Sequence, residues 1–263
     1  MNVFVFDIET VPDVVTGRRL LGLEGLSDEA VAAAMMSHIK EATGQGFVKH
    51  HLQKIVAISA VFRQGNSLKV WSLGETTSTE AEIIQRFYAG IEKFLPTLVS
   101  WNGGQFDLPV LHYRSLYHGI TAQRYWETGE RDTSFKYNNY LNRYHTRHVD
   151  LMDTLAAFSQ KAFVRLDEMA VMLGFPGKMG MSGNQVWEHY LQGDIDNIRY
   201  YCETDVLNTY LIYLRFQLIR GILSHEQYEN EIQLTKNILN QSQSAHLLEF
   251  LEVWNANDAS NFR

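Results

Sequence analysis

Two acids one residue apart, Asp7 and Glu9, close an apolar run that begins Asn2-Val3-Phe4-Val5-Phe6. In an extended strand residues i and i+2 point the same way, so both carboxylates share a face and Ile8 takes the other. A buried pair of this kind repels itself and must take up protons or a cation. Oxygen ligands suit hard divalent ions such as Mg²⁺ or Mn²⁺. A solvated strand end is the alternative, but the purely apolar residues ahead of Asp7 mark a central strand and favour the metal reading.

A second group lies in Trp101-Asn102-Gly103-Gly104-Gln105-Phe106-Asp107-Leu108-Pro109. Asp107 is either the N-cap of a helix whose first turn holds Pro109, or an acid in a strand-end crevice facing Asp7 and Glu9. The third is Tyr201-Cys202-Glu203-Thr204-Asp205, where Tyr201 and Asp205 lie four apart on one helix face. Tyr190 and Asp194 have the same spacing, but Gly193 interrupts them and Asp194 reads as the start of the next helix. Alone, the third group is a core tyrosine and a surface acid. Taken together, four acids from a first strand, a strand-to-helix turn and a late helix make a ligand set for two-metal phosphodiester hydrolysis. There one ion lowers the pKa of water and the other stabilises the leaving 3′-oxygen. The ions sit roughly 3.5–4 Å apart, so a shared carboxylate, Asp7, would bridge them. A phenol with a free pKa near ~10 suits Tyr201 to orienting the attacking water rather than to being the primary base.

The elements needed to hold these groups follow from the patterning. Strands are expected at 2–6, 54–63, 68–74, 97–101 and 148–152, the second and third joined across Gln64-Gly65-Asn66. Residues 13–50 interrupt the strands as a helical insertion, rich in Ala, Leu and Met from Leu20 to Met36, with a flexible Gly44-Gln45-Gly46 exit. Helices are expected from Thr79 to Leu95, stopped by Pro96, from near Pro109, and at about 154–173, 183–192, 195–219, 225–241 and 244–254. This order gives an α/β fold with a mixed five-stranded sheet and helices on both faces. No interdomain linker is visible, so residues 1–263 read as one domain with insertions at about 13–50 and 121–148.

The ordered motifs resemble the DEDD superfamily of 3′-5′ exonucleases on the ribonuclease-H-like fold. The branch most similar is that of the proofreading exonuclease domain of B-family DNA polymerases. Asp7-Ile8-Glu9-Thr10 serves as motif I, Asn102 through Asp107 as motif II and Tyr201-x-x-x-Asp205 as motif III, with tyrosine marking the subclass. The likeness spans about residues 2–215. It implies a single-stranded 3′ end held at two divalent ions, Mg²⁺ or Mn²⁺, by Asp7, Glu9, Asp107 and Asp205. The product would be 5′-mononucleotides, with DNA ahead of RNA as substrate. Thr10, Asn102 and Phe106 fall at substrate contacts, although Phe106 also reads as a core plug and Asn102 as a stabiliser of its own turn. An end-binding module without turnover and a ribonuclease-H-like endonuclease are the rival functions. At 263 residues the chain leaves no room for a polymerase domain, and a stand-alone nuclease is expected.

Whole-chain properties agree in part. Apolar residues make up 45% and charged ones 20%, enough for a sizeable core. No run of about 18 apolar residues suits a membrane span, the start lacks a signal-peptide pattern, and the single cysteine, Cys202, fits a cytoplasmic protein. The net charge of −7 counts against nucleic-acid binding, unless two divalent ions return four positive charges.

Several other residues carry two readings each. From Thr121 to His148 the chain interleaves Arg124, Arg131, Lys136, Arg143 and Arg147 with six aromatics, which suits either single-strand binding or a peripheral packed subdomain. Asp150 and Asp153 are extra acids, Asp153 as the N-cap of the next helix. Lys49, His50, His51 and Lys54 form a basic cluster, solvated or on phosphate. Lys178 and Ser182-Gly183-Asn184 precede a helix, for capping or for anion binding.

Overall fold

The computed structural model describes residues 1–44 and 48–261. Strand β1 (Asn2–Pro12) carries large apolar residues on both faces, which places it in the middle of the sheet. It pairs antiparallel with β2 (Gln53–Gln64) and parallel with β4 (Thr97–Ser100). β3 (Ser67–Ser72) extends the sheet beyond β2, and β5 (His148–Asp150) beyond β4. The spatial order is β3-β2-β1-β4-β5 among the described residues. This is the mixed five-stranded sheet expected, with Gly65 in the left-handed conformation that the β2–β3 turn requires (φ +54°).

Ten α-helices flank it in the described chain: α1 (Val14–Leu21), α2 (Asp28–Thr43), α3 (Glu80–Phe94), α4 (Asp107–His118), α5 (Leu151–Leu155), α6 (Leu166–Met172), α7 (Val186–Leu191), α8 (Ile195–Ile219), α9 (His225–Asn240) and α10 (Ala245–Asn261). The alternation of β1 divides the core. Phe4, Phe6 and Ile8 pack with α3, α4 and the buried Tyr125, Phe135 and Tyr140. Val3 and Val5 face α8, and behind it α9 and α10. Asp7 and Glu9 continue the Val3–Val5 series, so the strand's period of two aims both acids at α8.

The insertion at 13–50 is helical as expected but folds as two helices. Gly22 ends α1 in the left-handed conformation, and Ser27 caps α2 by accepting from the Ala30 N–H. The Leu20–Met36 pattern runs across this break because both helices bury their apolar side in a small core of Val31, Met35, Ile39, Val48 and Leu52. Gly44 caps α2; Gln45 and Gly46 lie outside the described residues. The helix expected over 154–173 is likewise two, α5 and α6. The chain turns between them through left-handed Ala157 and Phe158 (φ +49° and +63°), where no glycine announces a break.

The segment 121–148 packs against α3, α4 and the sheet as well as on itself. The Arg147 guanidinium lies 3.8 Å from the Phe135 ring centre, and Tyr125 stacks on Tyr140. Arg124 pairs with Asp132. Trp126, Tyr137 and Tyr144 remain exposed. No helix among the described residues is long and apolar enough to cross a membrane.

A buried ionic cluster ties the insertion to the sheet and to α4. The Arg114 guanidinium donates to Asp13 (2.6 Å) and to both oxygens of Glu80 (2.7 and 2.6 Å), while Glu80 also accepts from the Ile55 N–H. Removing one member leaves opposite charge buried without a partner. Arg114→Ala is therefore expected to lower the unfolding free energy by about 3–5 kcal/mol in urea titration. Arg18→Ala, which breaks an exposed pair with Asp28, should cost under about 1 kcal/mol. Similar losses in the two variants would contradict the structural weight given to the cluster.

Candidate active site

Asp7, Glu9, Asp107 and Asp205 come together beside β1, on the side that α8 covers. Ligand atoms of Asp7, Glu9 and Cys202 lie within 4.8 Å of one another. Asp107 joins them through its carboxylate, whose Oδ1 accepts from the Ile8 N–H (3.1 Å). The N-cap position of α4 belongs to Phe106, not to Asp107. Of the two readings open for Asp107, the structure thus shows the one that faces motif I. Asp205 is one helical turn beyond Tyr201 on α8, and its charge is felt by both Asp7 and Glu9. Glu9 and Asp107 are buried, whereas Asp7 and Asp205 are half-buried and give the site its opening.

Crowding shows in the acidities. Burial first, then the charges of Asp107 and Asp205, hold the Asp7 carboxyl well above the usual carboxylate range. Glu9 is raised in the same direction by burial and then by Asp7, Asp205 and Asp107. Burial lifts Asp107 to about 7, aided by Asp150 and opposed by the Ile8 N–H. Asp205 is also lifted to about 7, by burial and by Asp167, against the Tyr201 hydroxyl and the Lys178 charge. Burial, followed by Asp205, Glu9 and Asp7, pushes the Tyr201 phenol far above its ordinary value, so Tyr201 stays protonated.

The turn before α4 is held from β5. Asp150 accepts from the backbone N–H of Asn102 and of Gly104 (both 2.9 Å), and Asn102 adopts the left-handed conformation (φ +66°) that asparagine tolerates. A Cβ on Gly103 would lie 2.5 Å from the Cβ of Ser100, whose hydroxyl is bonded to His148, so only glycine fits there. Asp150 also caps α5 by accepting from the Asp153 N–H (3.3 Å). The cap expected of Asp153 is therefore made by Asp150, and Asp153 instead forms a forked pair with Arg143. Asp150 lies outside the Asp7–Glu9–Cys202 cluster and acts as a clamp on motif II.

Around the acids, the Thr10 hydroxyl donates to Gln53 (3.0 Å) just past a bulge in β1. The half-buried Phe106 ring meets His50 at 5.6 Å. His50 thus belongs to the rim rather than to a detached basic loop, and Lys54 donates to the Tyr190 hydroxyl. Ser182 makes a capping box with Gln185, as the capping reading holds. Lys178, read from sequence only as preceding a helix, has its charge acting on Asp205; Asn208 bonds both the N–H and the carbonyl of Gly177 and pins that loop against α8. Cys202, informative in sequence only about disulfides, lies with its Sγ 3.5 Å from an Asp7 oxygen.

A family model described as "Predicted 3'-5' exonuclease related to the exonuclease domain of PolB" matches residues 45–254. The chain belongs to this family. Both Asn102–Asp107 and Tyr201–Asp205 lie within the stretch matched to the PolB-related exonucleases, while Asp7 and Glu9 precede it and are joined to the other motifs by the fold. No curated protein matches. Among solved structures, the family B DNA polymerase of the hyperthermophilic archaeon Pyrobaculum calidifontis is similar at 16% identity and a TM-score of 0.46, over 81% of this chain and 25% of that one. The chain spans about a quarter of that polymerase's length.

Carboxyls raised this far keep protons in the folded, ion-free chain at pH values where the unfolded chain has released them. Their stabilising contribution is complete below about pH 4 and is lost as pH rises through about 7. In EDTA the melting temperature should therefore fall across this window, and Mn²⁺ should restore it most at the alkaline end. Asp107→Asn keeps an acceptor for Ile8, so at pH 8 it should melt about 2 °C or more above the ion-free parent while losing the response to Mn²⁺. A parent melting curve independent of pH would contradict this electrostatic account.

Proposed function

We propose that the chain is a two-metal-ion 3′-5′ exonuclease that releases 5′-mononucleotides from single-stranded ends, DNA ahead of RNA. The observation that carries this reading is the convergence of four carboxylates, from β1, the start of α4 and α8, at one opening. The donor set fits the ions. Its carboxyl ligands are hard oxygens, and their raised pKa values mark a site short of positive charge.

Asp7, Glu9, Asp107 and Asp205 would hold the ions. Once bound, two divalent cations would lower the pKa of water, stabilise the leaving 3′-oxygen and offset much of the −7 charge. Tyr201 is a permanent donor beside Asp205, so it orients the attacking water and does not remove its proton. Lys178 brings a cation to the same edge for a phosphate. Asn102, Phe106 and Thr10, at the ends of β4, the motif II turn and β1, form the rim on which the terminal nucleotide would rest. His50 supports the Phe106 ring from outside.

The deciding assay follows labelled DNA and RNA, with free or blocked 3′ ends, with and without Mg²⁺ or Mn²⁺. Mononucleotides should appear only from free 3′ ends with a divalent ion, and circular single strands should survive. Purified protein that leaves every linear substrate intact would overturn the proposal, and cutting of circles would turn it into an endonuclease. Asp7→Ala and Asp205→Ala should nearly abolish turnover with folding preserved. Tyr201→Phe should lower kcat roughly 10- to 100-fold with little change in the dependence on metal concentration; an unaltered kcat removes the role given to its hydroxyl.

A further inference from the structure

Beside Tyr201 lies a second feature that the carboxylate chemistry does not use. Asn197, Tyr200, Tyr201 and Thr204 recur at i, i+3, i+4 and i+7 and form one face of α8. This face lines a cleft of about 340 Å³, closed opposite by Met179 and Met181 and at its end by His246 of α10. Tyr201 is the wall shared by the cleft and the acidic site.

Tyr200 is 40% exposed, yet it is firmly braced. Its ring lies nearly parallel to that of His246, with centres 4.1 Å apart and planes at 17°. His246 Nε2 meets Glu203 Oε2 at 2.7 Å, and Glu203 Oε1 accepts from the Ser72 hydroxyl at 2.7 Å. This buried relay runs from α10 through α8 to β3 and fixes the plane of an aromatic ring that lines the cleft. Thioether walls and a flat ring suit a flat, polarizable guest. Glu249 in the lining repels a phosphate, so the guest is uncharged, while Lys178, next to Met179 in sequence, stands ready for the phosphate attached to it.

We propose that this cleft is a base-binding subsite in which one nucleobase of the single strand stacks on Tyr200. The inference rests on the exonuclease reading and adds to it the residue that grips the strand beside the scissile bond. Stacking on aromatic rings is tolerant of sequence, so the subsite would count bases rather than read them.

The test uses the full chain and oligonucleotides carrying one abasic nucleotide at successive positions from the 3′ end. Tyr200→Ala should raise KM roughly 10-fold and leave kcat within about twofold, because Tyr200 touches none of the carboxylates. Tyr200→Trp should restore KM. At one position the abasic substitution should reproduce the loss in the parent protein and add nothing in Tyr200→Ala. A measurement independent of any variant is the fluorescence of 2-aminopurine at that position, which should be quenched when the parent protein binds the strand in Ca²⁺. Unchanged KM in a folded Tyr200→Ala, penalties that add at every position, or no quenching anywhere would each overturn the subsite while leaving nuclease activity standing. A parent protein that degrades no strand would instead remove the reading on which it rests.

Discussion

Carboxylates gathered beside one buried strand push one another apart, and much of the surrounding structure exists to resist that push. Asp7 and Glu9 cannot separate, because the antiparallel pairing of β1 with β2 runs through both residues and fixes their common direction. Asp107 is held by the Ile8 N–H, which belongs to the residue between them. Asp205 is carried on a helix of 25 residues whose length is mostly buried, so its backbone cannot swing away. Electrostatic strain of this kind is stored in the ion-free fold, and it is what a divalent cation would relieve.

The supports are as informative as the acids. Asp150 is itself a buried carboxylate, but three backbone N–H groups bond it, from Asn102, Gly104 and Asp153. It thereby ties β5 to the turn that delivers Asp107. Two buried acids serve different ends: Asp150 accepts from three backbone donors of the motif II turn and α5, whereas Asp107 accepts from Ile8 and faces Asp7. The distinction lies in what surrounds each oxygen, not in residue type or depth.

Much of this was legible in sequence where one period sufficed. The strand period of two put Asp7 and Glu9 on one face, and the helical period joined Tyr201 to Asp205. Asp107 was open to two readings, because a helix-starting aspartate and a metal ligand look alike until the neighbouring strand is known. The cap was read at Asp153 instead of Asp150, since the two acids lie three residues apart and sequence alone does not fix where α5 begins. The turn at Ala157 and Phe158 has no glycine to announce it. Tyr200 and His246 escaped notice, and the closeness of Lys178 to Asp205 did too, for a different reason: their partners lie on elements separated by long stretches of chain, and neither spacing nor propensity encodes such meetings.

That distance along the chain governs when the site can exist. Cys202, beside Asp7 in space, lies 195 positions from it in sequence, and closing so large a loop is slow compared with forming any local element. A growing polypeptide that has made β1 to β5 already owns three of the four acids, but it lacks α8 and therefore the fourth, as well as the tyrosine. Because α8 follows all five strands in the chain, Asp205 and Tyr201 join the other three acids only after the sheet's strands exist, and the candidate site is among the last features to assemble.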